Sequence, residues 1–176
     1  MAAHKRLPEV VIIMGSQSDY PTMVHAENTL KSLNVQHEVL IISAHRTPKR
    51  LYDFASTAYD RGARVIIAGA GGSAHLPGMA SAISQLCQVH CVPCPSSSNW
   101  LNDDAAVKSM AFMPPGVPGA THSIGKAGAI NAALDAAKFV AKTNAHVRHA
   151  LRLYFLNQTR EVPERPDPSK LKEAKK

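Results

Sequence analysis

The strongest constraint on this chain is a rhythm. Short β-branched runs, each closed by a glycine or a polar loop, alternate with helical patterns at least four times. Residues 9–14 (EVVIIM), 37–42 (HEVLII), 65–68 (VIIA) and 89–92 (VHCV) read as strands buried on both faces. Between them, Asp19 followed by Tyr20-Pro21 signals a helix start, and that helix runs to about Leu33. Pro48 opens a second helix to about Arg61, with Gly62 as its cap. A third helix is expected over 79–86. Residues 99–112 are ambiguous, with a helix from Asp103 as one reading. A weak strand over 120–124 and helices over 125–142 and 147–159 complete the pattern. Strand–helix alternation of this kind predicts a three-layer α/β/α parallel sheet, with an extra helix at the C-terminus.

In such a fold, ligands bind at the carboxyl ends of the strands. Three loops follow strands directly: 15–19, 43–48 and 69–78. Right-handed crossovers bring all three to one edge of the sheet, so one site built from three loops is expected. The first offers Gly15, Ser16, Ser18 and Asp19 ahead of a helix N-terminus, where hydroxyls and free N–H groups suit a phosphate. Asp19 would repel a phosphate and suits a sugar hydroxyl better, or it caps the helix. The second loop offers Ser43, His45 and Arg46. A guanidinium can grip two phosphate oxygens, and an imidazole can give and take a proton near neutral pH. The third loop, GAGGSAHLPG, lets backbone approach a ligand closely. It has neither the spacing of a nucleoside triphosphatase loop nor that of a dinucleotide fingerprint. His75 is either a second polar group of the site or a hydrogen-bond partner within the loop.

Composition excludes several classes. The 176-residue chain fits one domain, expected over 1–160, followed by a flexible basic tail over 161–176. Net charge is +7, partly from lysines in that tail. Elsewhere the basic residues are scattered without interleaved aromatics, which argues against nucleic acid. No run approaches 18 apolar residues, so no membrane span is expected, and a cytoplasmic location is. The spacing Cys87-x3-Cys91-x2-Cys94, with His90 inside it, matches an iron–sulfur ligand set. Cys91 falls inside an apparent buried strand, however, and core cysteines are the better reading.

The segments Met14-Gly-Ser-Gln-Ser-Asp19, Ser43-Ala-His-Arg-Thr-Pro48, Gly69-Ala-Gly-Gly-Ser-Ala-His-Leu-Pro-Gly78 and Ile124-Gly-Lys-Ala-Gly128 carry a resemblance. With them the chain resembles the N5-carboxyaminoimidazole ribonucleotide mutase family. The match runs from about Val10 to Leu86 and again from Met113 to Val140. The resemblance implies a flavodoxin-like fold, a homo-octamer, and a ribonucleotide substrate whose carboxylate passes through trapped CO2 to ring carbon C4. It implies Ser16, Asp19, Ser43 and Arg46 around the ribose-phosphate, with Gly15 and Ser18 in the same loop. His45 becomes the general acid/base. The backbone of Gly71, Gly72, Ser73, His75 and Leu76 encloses the imidazole. No metal, nucleotide cofactor or biotin is implied. Between Cys87 and Phe112 the chain departs from the family pattern. That departure keeps open a weakly active or non-catalytic mononucleotide-binding homologue beside the mutase. The other alternative is the related branch of the same superfamily, a direct CO2-dependent aminoimidazole ribonucleotide carboxylase, although the His75-Leu76-Pro77-Gly78 ending resembles the mutase branch.

Overall fold

A computed structural model describes residues 5–95 and 100–167. Five parallel strands form one sheet in the order β2-β1-β3-β4-β5. These are β1 (Val10–Met14), β2 (His37–Ile41), β3 (Val65–Ala70), β4 (Gln88–Pro93) and β5 (Ala120–Thr121). Every residue of β1 and β3 is buried, as their unbroken apolar sequence demands. The edge strand β2 is half-buried. Helices α1 (Tyr20–Ser32), α5 (Gly125–Val140) and α6 (Ala145–Arg160) share one core with one face of the sheet. Helices α2 (Pro48–Thr57), α3 (His75–Ser84) and α4 (Trp100–Ala111) lie against the other. This is the expected three-layer α/β/α sandwich with its additional C-terminal helix.

Several boundaries move for physical reasons. The regular part of α2 stops at Thr57, and the chain continues in turns to Gly62. There, bonds from Gly62 N to Tyr59 O (3.0 Å) and from Ala63 N to Ala58 O (2.9 Å) close the helical end. Helix α3 begins at His75 rather than after Gly78, and Gly69 and Ala70 belong to β3. The third loop is therefore only 71–74. Pro77 is tolerated in the first turn because the N–H groups there have no helical partner. Helix α4 starts at Trp100, ahead of Asp103. Helix α6 starts at Ala145, since the Asn144 side chain caps the N–H groups of His146 (3.0 Å) and Val147 (3.2 Å). The last strand shrinks to two residues. Of the expected tail, residues 161–167 are exposed turn and bend, and 168–176 lie outside the described residues.

The small residues of α5 serve the chain's own packing: Gly128, Ala129, Ala132, Ala133, Ala136 and Ala137 are buried against α1 and the sheet. On α6, Val147 and Leu151 are also interior, whereas Leu153, Phe155 and Leu156 are exposed. Among the described residues no helix is long and apolar enough to cross a membrane.

The iron–sulfur reading fails on geometry. Cys87, Cys91 and Cys94 are all buried and free. Cys91 packs into the core on the α2–α4 side and Cys94 into the opposite core, because neighbouring strand positions alternate faces. Three thiolates so arranged cannot meet one cluster. Burial also pushes the thiols up, Cys87 to about 11 and Cys91 to about 12.

Candidate active site

The strand register sets the site. Met14 pairs with both Ile41 and Gly69, and Gly69 pairs with Val92, so β1 to β4 finish nearly level. The chain leaves β1 toward β2 on one side and toward β3 on the other. That is the topological switch point where open α/β sheets bind ligands. A cavity of about 700 Å³ opens there, within the size range of small-molecule sites. Gly15, Ser16, Ser18, Asp19, Ser43, His45, Arg46, Gly71, Gly72, Ser73, His75 and Leu76 all line it.

Each loop is shaped by its own short-range bonds. In the first, Ser16 Oγ accepts from Ser18 N at 3.0 Å, and Asp19 Oδ2 accepts from Ser16 N at 3.0 Å. The hydroxyls of Ser16 and Ser18 also touch. This reciprocal pair closes a 3-10 turn over Gln17–Asp19. Asp19 precedes α1, but its carboxylate makes no capping bond to that helix. The side chain is turned back into the loop, so its capping role belongs to the 3-10 turn. Burial raises the Asp19 pKa, opposed by hydrogen bonds from the backbone of Ser16 and Gly15 and by the charge of Arg46.

In the second loop Ser43 Oγ accepts from Arg46 N at 3.1 Å, and Thr47 Oγ1 accepts from Ser43 N at 3.0 Å. The Arg46 guanidinium reaches 31 residues back to donate to Gly15 O at 3.2 Å. Arg46 thus ties loop two to loop one while remaining exposed.

The third loop needs its glycines. A Cβ on Gly71 would stand 2.8 Å from Cys94 O, a backbone atom that cannot give way, and Gly72 sits at φ +62°. Ala74 N donates to Ser109 Oγ of α4 at 3.1 Å, which braces the loop from behind. Leu76 is buried on α3, and His75 is exposed at that helix's first residue.

The loops meet at two imidazoles. His45 Nε2 lies 2.8 Å from His75 Nδ1, with the rings edge to face at 87°. One ring donates and the other accepts, so a single proton is shared between residues 30 apart in sequence. His75 is thus both a cavity residue and a hydrogen-bond partner, but across loops rather than within its own.

Sequence reasoning missed Pro21, Thr22, Ala44, Ala70 and Pro95, which also line the cavity. Pro95 had a usable signal, since it follows the carboxyl end of β4 just as the three loops follow β1 to β3. Thr22 lies in the first turn of α1, three residues beyond Asp19. Neither Ala44 nor Ala70 carries chemistry that a sequence reading could have picked out.

The fold and this loop cluster define a doubly wound α/β protein with a polar small-molecule site at the sheet's switch point. The model of the AIR carboxylase family matches residues 9–161, and the chain belongs to that family. It is 46% identical over 161 residues to the N5-carboxyaminoimidazole ribonucleotide mutase of Aliivibrio fischeri, covering 92% of this chain and 98% of that one. It is 45% identical to the Escherichia coli protein of the same name, covering 96% and 98%. A crystal structure of Treponema denticola PurE superposes with a TM-score of 0.72 at 27% identity, covering 93% of this chain and 98% of that one.

Proposed function

We propose that this chain is an isomerase of purine biosynthesis that converts N5-carboxyaminoimidazole ribonucleotide into 4-carboxy-5-aminoimidazole ribonucleotide. The observation that carries the proposal is the 2.8 Å contact between His45 Nε2 and His75 Nδ1, set over a cavity whose rim also holds Arg46, Ser16 and Ser43. Relatives that carry the mutase name along nearly their whole length support this reading over a direct carboxylase or a non-catalytic homologue.

The chemistry asks for what these residues offer. Breaking the bond between the exocyclic nitrogen and its carboxylate releases CO2, and that nitrogen takes up a proton. Carbon C4, electron-rich like an enamine, then bonds to the CO2 and gives up its own proton. One proton is delivered and one removed, so a single imidazole can serve both ends. His45 is assigned that role as general acid/base, with His75 holding it in orientation and storing the partner proton. Arg46, Ser16, Ser18 and Ser43 are assigned the phosphate, and Asp19 a ribose hydroxyl. The backbone of Gly15 and of 71–76 closes around the ring and retains CO2. Binding of the remote phosphate fixes the ring against His45.

The rest of the proposal is one catalytic domain over 1–160 and a cytoplasmic location, read from length and composition, and a homo-octamer, implied by the family resemblance. The exposed apolar residues Leu153, Phe155 and Leu156 are available to such an assembly. A steady-state assay with two substrates tests the function. Turnover of N5-carboxyaminoimidazole ribonucleotide is expected, without turnover of aminoimidazole ribonucleotide plus CO2 at comparable concentration. The opposite preference would make the chain a carboxylase, and turnover of neither would leave a binding protein.

A further inference from the structure

A second cluster of chemistry lies outside the loop cavity, at the sheet edge where β4, β5 and α5 meet. His90 on β4, His122 just beyond β5 and Asp135 on α5 bring three ligand atoms together, all within 4.8 Å of one another. His90 Nδ1 is 2.9 Å from His122 Nε2, and His122 Nε2 is 3.9 Å from Asp135 Oδ2. We propose that His90, His122 and Asp135 form a binding site for one divalent transition-metal ion of the zinc class, separate from the ribonucleotide cavity.

The hydrogen bonding of the three groups leaves them under-used. A single N–H is shared between the two rings, and at 3.9 Å the carboxylate is too far to join it. If the ring that now donates takes its other tautomer, moving its proton to its far nitrogen, both facing nitrogens present lone pairs, and one cation can accept from these two and from Asp135 Oδ2. Nε2 of His90 is buried without a partner, so the ring's whole polar interaction runs through Nδ1.

The protonation states already suit a metal. Burial pushes His90 down to about 4 and also lowers His122, so both rings are neutral at pH 7. For Asp135, burial works to raise the pKa, but the hydrogen bond and charge of Lys138, together with the His122 and His90 rings, bring it below the usual carboxylate value, so the carboxylate is ionised. Lys138 Nζ holds Oδ1 at 2.8 Å, which leaves Oδ2 for the ion and fixes the carboxylate's orientation.

The frame is rigid on two sides. His90 pairs with Ala120 in the β4–β5 ladder, and His122 N donates to Cys91 O at 2.9 Å. Ligand atoms around tetrahedral zinc stand about 3.3 Å apart. The two ring nitrogens, now 2.9 Å apart, therefore need to part slightly. The carboxylate, 3.9 Å from His122 and within 4.8 Å of both rings, needs to close in by about 1 Å, a movement its half-exposed side chain allows. Two imidazoles and one carboxylate are a donor set that zinc accepts, and further positions remain for water. Asp135, with 39% of its side chain exposed, provides the open side. Such an ion would tie the two-residue edge strand to α5, which makes its role structural.

Full-length protein, stripped with chelator and dialysed, would be titrated with zinc by calorimetry and with cobalt(II) by visible absorption. The expected result is one ion per chain, tetrahedral cobalt bands, and a higher Tm with zinc. Asp135→Asn and His122→Gln should each weaken zinc binding by at least about tenfold. Asp135→Asn changes a half-exposed helix surface, so its fold is checked by circular dichroism and the comparison stands even if His122→Gln is unstable. His45→Asn should leave zinc binding unchanged. Absence of uptake by the wild type, equal uptake by Asp135→Asn, or loss of uptake in His45→Asn would overturn the proposal.

Discussion

The two ends of the sheet are built differently. At β1, β2 and β3 the strands end level, and the polar loops after β1 and β2 are each closed by bonds between residues two to four apart, such as Ser16 with Ser18 and Asp19, or Ser43 with Arg46 and Thr47, before Arg46–Gly15 and His45–His75 join loop to loop. At β4 and β5 the contacts are long-range. Cys94 N bonds Ala70 O, Ser109 Oγ takes the N–H of Ala74, and His90 meets His122 across the strand pair. The first region carries the cavity's chemistry and the second buttresses it. Damage to the first should therefore strike turnover, and damage to the second should shift how well the loops are held.

The largest effect tests that division at its centre. His45→Asn keeps a hydrogen-bonding group beside His75 but cannot carry a proton. We expect kcat to fall by about 10²–10⁴-fold with ribonucleotide binding retained. A fall in binding with kcat intact would move His45 from chemistry to substrate positioning.

Arg46→Ala comes next. The exposed side chain adds little to folding, whereas a charge-assisted phosphate contact is worth about 1.5–3 kcal/mol, or about 10- to 100-fold in affinity. The variant should bind the nucleotide little better than the dephosphorylated nucleoside. Calorimetry with both ligands checks this. Removal of the cation should also raise the Asp19 pKa further, because the Arg46 charge lowers it in the wild type. Carboxyl titration by NMR would show the sign.

The smallest effect belongs to the buttress. Ser109→Ala deletes the acceptor for Ala74 N, a neutral bond worth about 0.5–1.5 kcal/mol. We expect KM to rise a few-fold with kcat nearly unchanged. A kcat loss as large as that of His45→Asn would erase the distinction between the two regions.

The same contrast explains what could be read from the sequence. The three loops were legible because each announces itself within a few residues: a β-branched run, then glycine or serine, then a helix start. Their convergence followed from topology alone. The His45–His75 bond was not legible, since its distance depends on how α3 begins, and the sequence pattern puts that start after Gly78, four residues beyond the true one at His75. The trio His90, His122 and Asp135 spans 45 positions with no local signature, and nothing in the sequence brings it together before the sheet does. Helix α6 was half legible. An apolar periodicity says that a face will be covered, but not that Val147 and Leu151 would be covered by their own domain.

The central claim is that the carboxylate moves within the cavity, from exocyclic nitrogen to C4, without leaving it. The most direct measurement gives the enzyme substrate carrying an isotopically labelled carboxylate, in buffer containing unlabelled bicarbonate, and reads the product by mass spectrometry after one turnover. Our account predicts product that keeps the label, with little exchange into the buffer. Product carrying the unlabelled carbon of the buffer would contradict it.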